Sequence, residues 1–174
     1  MWTIGHGART TENLLATLLD AGIEVVVDVR RFPGSRRHPH LAREALSEAL
    51  PAGGVGYEWA GEALGGRRSV RADSPHVALR NDAFRGYADH MDTDPFRVAL
   101  ERLLADERRC AVMCAETLWW RCHRRLIADA AVLAGVTVVH LLDVGRADPH
   151  RLTEGVRARG DGRPIYDGGS SPLF

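Results

Sequence analysis

The chain has no lysine, only three cysteines, no net charge and no long apolar run, and each shortage excludes something. Without lysine, every fixed positive side chain is a guanidinium, a group whose planar fork suits bidentate contact with phosphate or carboxylate. A compositional bias toward Arg, Ala and Gly accounts for the total, so local pairs such as Arg30-Arg31 and Arg36-Arg37 carry more information. Basic and acidic residues balance at 23 each, so no global basic field announces nucleic acid. Cys110 and Cys114 fall on the same side of one predicted strand and the third cysteine is left over. This is no disulfide framework, and it fits a reducing compartment. No segment approaches the roughly 20 apolar residues that span a bilayer. The start, Met-Trp-Thr-Ile-Gly-His, has neither a basic lead nor an apolar stretch of signal length. The expectation is a cytoplasmic protein with no membrane partner.

What is present is 174 residues, 45% of them hydrophobic, enough for one domain with a real core. Trp2 to His6 reads as a strand ending in a turn. Thr10 or Thr11 caps a helix with Leu14, Leu15, Leu18 and Leu19 as its apolar stripe, closed by Gly22. Ile23 to Val29 is β-branched and nearly continuous, the pattern of a strand covered on both faces of a parallel sheet. A helix over 41–50 stopped by Pro51, a strand over 54–59 and a long loop to about Arg80 follow. Then come a helix capped by Asn81 or Asp82 and another opened by Asp94 and Pro95 as N-cap and first residue. Cys110 to Cys114 is a short buried strand. From Arg121 the spacing becomes helical until Gly135, and Val136 to Leu142 is a last strand, with His140 a hydrogen-bonded core or strand-end residue rather than a ligand. The predicted fold is α/β: one three-layer domain over 1–142 with a mostly parallel central sheet between helices, distantly rhodanese-like. Residues 143–174 read as an irregular tail, with one strand at Ile165-Tyr166, that packs on the domain or extends it.

In this order of elements three strands end in polar side chains: His6, Asp28 with Arg30, and Cys114 with Glu116. In a parallel sheet these ends share the edge where open α/β sheets bind ligands. Cys114 precedes a loop and helix entry whose amides favour a thiolate. The strand end Asp28-Val-Arg30 is similar to that of rhodanese-type sulfurtransferases, but Glu116 and the bulky Leu118-Trp119-Trp120 replace the small residues an anion loop uses. Cys114, Cys122, His123 and Glu116 are acceptable zinc ligands in kind, yet Cys-x7-Cys-His matches no common finger, and no metal is assigned. Asp28 and Glu116 are candidate acid–base groups. Two adjacent tryptophans cannot both face inward on one helix, which leaves one of Trp119 and Trp120 for a cleft or for stacking a base.

Taken together, Thr3-Ile-Gly-His6, Asp28-Val-Arg30-x-x-Pro33-x-Ser35-Arg36, Tyr57 with Leu64-Gly65-Gly66, and Cys114-Ala-Glu116 with Cys122-His123-Arg124 closely resemble the domain of unknown function 488 family, in order from about residue 3 to 142. One departure is Gly7, where the family usually carries Ser or Thr. The resemblance implies a compact α/β domain with these residues as its signature, and no reaction.

The expected function is an enzyme, hydrolase by class, acting on an anionic phosphate-bearing small molecule or nucleic acid. Cys114, Glu116, Asp28, Cys122 and His123 are the reactive or positioning groups. His6, Arg30, Ser35, Arg36, Tyr57, Trp119, Arg121 and Arg124 are the substrate contacts. The alternative is a non-catalytic nucleic-acid or protein-binding module whose cysteines are structural. The sequence names no cofactor.

Overall fold

The computed structural model describes residues 1–34 and 36–169. Ser35, expected among the substrate contacts, and the last five positions lie outside the described residues. The elements run β1 (Trp2–Gly5), α1 (Thr11–Asp20), β2 (Val25–Asp28), α2 (Arg43–Ala52), β3 (Gly56–Trp59), α3 (Gly61–Leu64), α4 (Asp82–Met91), α5 (Asp94–Leu104), β4 (Cys110–Cys114), α6 (Arg124–Leu133), β5 (Val139–Asp143), β6 (Arg146–Pro149), β7 (Val156–Ala158) and β8 (Pro164–Tyr166). Six strands form one sheet in the order β3-β2-β4-β1-β5-β6. The first five in that row are mutually parallel, and β6 returns antiparallel to β5. The fold class is therefore α/β, as the sequence implies.

Strand alternation builds the two sides of the sheet. Val25, Val27, Cys110, Val112 and Cys114 pack with Tyr87 of α4, Phe96 of α5 and Leu126 and Ile127 of α6. The intervening Val26, Ala111 and Met113 pack with Leu14 and Leu18 of α1 and Leu46 and Leu50 of α2. Both sides of β2 and β4 are buried, which is why their sequences are apolar without a break. Helix starts and stops follow local chemistry. The Thr10 side chain accepts from the Asn13 amide, Asn81 accepts from the Ala83 amide, and Gly135 follows α6 with φ of 86°, a left-handed conformation that glycine adopts without cost.

Several local expectations shift. Pro51 lies inside the last turn of α2, which continues to Ala52. Thr93, not Asp94, is the N-cap of α5, and its hydroxyl donates to the His90 carbonyl instead of capping. The helix after β4 is interrupted: a 3-10 turn covers Trp119–Arg121, Cys122 returns to extended backbone, and α6 begins only at Arg124. Residues 143–169 hold three short strands where the lack of periodicity implied one. The β6 side chains are exposed, so apolar alternation never marked that strand. In β8, Tyr166 is wholly buried and its hydroxyl donates to Asp129 of α6, tying the hairpin to the domain. No helix among the described residues is long and apolar enough to cross a membrane.

Candidate functional site

Because β4 lies between β2 and β1, the three polar strand ends are neighbours. Backbone pairing continues past the strands: the His6 and Gly7 amides donate to the carbonyls of Cys114 and Ala115. Two side-chain clusters result.

The first is closed. Arg30 grips Asp28 through Nε at 2.9 Å and Nη2 at 2.5 Å, and its Nη1 donates to the Leu41 carbonyl at 2.7 Å and lies 2.9 Å from His6 Nε2. The Tyr57 hydroxyl donates to the same carboxylate at 2.7 Å. An arginine is always a donor, so His6 Nε2 is the acceptor. His6 Nδ1 accordingly carries the proton and donates to the Gly7 carbonyl at 3.0 Å. Burial first, and then the adjacent Arg30 charge, pulls the His6 pKa down to about 4, which keeps the ring neutral. Burial and the Asp28 carboxylate raise the Tyr57 pKa, so its hydroxyl stays a donor.

The second cluster is open. Cys114 ends β4, Cys122 and His123 precede α6, and the two sulfurs and His123 Nδ1 all lie within 4.8 Å of one another. Each sulfur is 3.7 Å from Nδ1. His123 Nε2 faces the Val29 carbonyl at 3.3 Å. A carbonyl only accepts, so Nε2 carries the proton and the Nδ1 lone pair is aimed at the thiols. The Cys114 thiol also lies 3.4 Å from Glu116 Oε2. The two thiols titrate as a pair. Sharing with Cys122, then burial, holds Cys114 well above the ordinary range. Burial also opposes ionisation of Cys122, but the hydrogen bond from Cys114, the His123 ring and Arg124 outweigh it and hold Cys122 low. Cys110, at the other end of β4, is raised to about 11 by burial and by Asp106.

Arg124 is buried beneath this loop and donates to the carbonyls of Glu116 and Thr117, so it shapes the loop and does not face solvent. Gly5 allows the close approach, since a Cβ there would sit 1.9 Å from the Glu116 carbonyl oxygen. The Gly7 departure has a counterpart: φ is 56°, and the Thr117 hydroxyl lies 2.3 Å from where a residue-7 Cβ would be. Both the left-handed backbone and the Thr117 hydroxyl therefore favour glycine at position 7.

Two cavities open onto the thiols. One, of about 130 Å³, is lined by Arg30, Arg31, Phe32, Arg67, Cys114 and His123 among others. The second, of about 340 Å³, is lined by Arg67, Phe84, Trp120, Arg121, Cys122 and His123. Glu116 and Gly66 border both. Arg36 is exposed and lines neither cavity. Trp119 stacks on His140 at 4.2 Å with the rings 9° apart, while Trp120 is 45% exposed. The expected substrate contacts include neither Arg31 nor Arg67, a non-glycine residue at φ of 58°. The sequence signal for Arg67 is the preceding Gly65-Gly66; in the structure a Cβ on Gly66 would press on His123.

A family model described as a domain of unknown function, DUF488, matches residues 10–131, and the chain belongs to that family. No curated protein and no solved structure matches it, so the rhodanese likeness rests on the Asp28-Val-Arg30 strand end alone.

Proposed function

We propose that the chain is an enzyme acting on an anionic, phosphate-bearing substrate, a nucleotide or nucleic acid, bound over Cys114, Cys122, His123 and Glu116. One observation supports this reading above the rest: a thiol pair, an imidazole and a carboxylate line cavities that are also lined by Arg31, Arg67 and Arg121 together with Phe32, Phe84 and Trp120. Guanidinium groups hold phosphate, aromatic faces stack a base, and the thiols, imidazole and carboxylate do the chemistry. Glu116, exposed at the mouth, is the acid–base group. Asp28, Arg30, His6 and Tyr57 are positioning residues, because their polar atoms are engaged with one another. Arg124 and Trp119 hold the loop.

The test is titration of the protein with nucleoside monophosphates and single-stranded oligonucleotides, read by the fluorescence of Trp120 against a Trp120→Phe control and followed by chromatography for product. Binding is expected to weaken with salt and with Arg67→Ala or Arg121→Ala, and turnover to fall in Cys114→Ser and Glu116→Gln. Absence of binding at low salt, or full turnover in both of the last variants, refutes it.

One observation favours the non-catalytic reading. A wider groove of about 800 Å³ beside the site is lined by Arg80, Phe84, Trp119, Trp120, Arg125 and Arg151, a surface that suits a single strand. Salt-sensitive oligonucleotide binding with no product at any time would select that reading.

A further inference from the structure

We infer that Cys114, Cys122 and His123 bind a divalent transition-metal ion, zinc foremost, through two thiolates and Nδ1, with the fourth position open to the cavities beside Glu116. Four independent features carry the inference.

The first is geometry. Zinc–sulfur and zinc–nitrogen bonds of about 2.3 and 2.0–2.1 Å at tetrahedral angles place sulfur and nitrogen about 3.6 Å apart. Both cysteine sulfurs lie 3.7 Å from His123 Nδ1, and the three donor atoms fall within 4.8 Å of one another. The second is orientation. The Val29 carbonyl accepts the hydrogen bond of Nε2–H, so the lone pair of Nδ1 points at the sulfurs. A backbone carbonyl on the far nitrogen is how ligating histidines are held. The third is charge. Two buried thiols cannot both ionise beside each other unaided, whereas two thiolates with a divalent cation and a neutral ring sum to zero. The fourth is access. Three protein ligands and one open position characterise catalytic zinc sites, and here the open side meets both cavities. The Cys-x7-Cys-His spacing hid this set because the 3-10 turn at Trp119–Arg121 folds the intervening loop back on itself.

The inference deepens the proposed function and rests on it only for what the ion does there. Held by Cys114, Cys122 and His123, the ion would supply Lewis acidity and ease ionisation of a water, and Glu116, whose Oε2 lies 3.4 Å from the Cys114 sulfur, would be the group placed to take the proton. Binding of the ion itself stands without that reading.

The experiment treats the full chain with chelator under reducing conditions and titrates it with Co²⁺ alone and then Zn²⁺ alone. One equivalent of Co²⁺ is expected to produce the thiolate charge-transfer and intense visible bands of a tetrahedral sulfur site, and Zn²⁺ to displace them with release of protons. Cys122→Ser and His123→Gln are each expected to weaken Co²⁺ binding by more than the roughly 10–100-fold that changes around a metal's ligands cost. Cys110→Ala, at the far end of β4, should leave it unchanged. No cobalt–thiolate band in the folded wild-type chain overturns the proposal, as does Co²⁺ binding of wild-type affinity in Cys122→Ser. A chain that binds metal but turns over no phosphate-bearing probe keeps this inference and discards the proposed function; the converse result does the reverse.

Discussion

Two polar clusters stand side by side at the same sheet edge and differ in what their atoms still have to give. In the Asp28, Arg30, His6 and Tyr57 cluster, the carboxylate oxygens accept from Arg30 and Tyr57, and the guanidinium nitrogens meet Asp28, His6 and the Leu41 carbonyl. In the Cys114, Cys122, His123 and Glu116 cluster, one ring nitrogen faces two sulfurs with a weak hydrogen-bonding habit and an open cavity. A saturated buried network rigidifies, while a cluster with unused lone pairs is available to a proton, a metal or a substrate. The first cluster therefore builds the wall against which the second works.

The sharpest way to break that contrast is Asp28→Ala, which leaves the Arg30 charge buried without its partner. A loss of about 3–5 kcal/mol is expected in urea unfolding. Acid acts on the same cluster. His6 is held to about 4 when folded and titrates near 6.5 when unfolded. Between those values the unfolded chain binds more protons, so His6 favours the fold fully above about pH 6.5. Its contribution is lost as pH falls toward 4, by at most about 1.4 kcal/mol per unit. His140, lowered to about 3 by burial and by His150, adds a second share. Unfolding midpoints at pH 7 and pH 5 should thus separate less in His6→Asn than in the wild type. Gly5→Ala tests whether the clusters are joined: its Cβ displaces the Glu116 carbonyl, costing about 1–3 kcal/mol and slowing thiol alkylation without any change to a thiol. The smallest expected effect on stability is Trp120→Ala, within about 0.5 kcal/mol because the ring is exposed. Its effect on nucleotide binding, about 1–3 kcal/mol per stacked base, belongs to the open cluster alone.

How much of this was written in the sequence depends on range. The buried strands were legible because Val25, Val26 and Val27 and the Cys110 to Cys114 run are apolar on both faces, and the ends of α1 and α6 because Thr10 and Gly135 act within a few residues. Strand order was not legible, and the neighbourhood of His6, Asp28 and Cys114 depends on β4 entering between β1 and β2. Nor could residue type reveal that the Arg30 guanidinium would be engaged with Asp28, or that Arg67 would reach the cavity through a left-handed backbone. β6 and β7 were missed because one is exposed throughout and the other is three residues long without a buried one, so neither leaves a periodic trace.

The most direct test compares the three cysteines in one sample. All are buried, between 2% and 4% exposed, so bulk exposure does not distinguish them, while only Cys114 and Cys122 meet the cavities. Metal-free native protein treated with iodoacetamide and read by peptide mass spectrometry is expected to label Cys122 first and Cys110 last, with saturating zinc protecting Cys122 and Cys114. Labelling of Cys110 as fast as Cys122 would contradict the account.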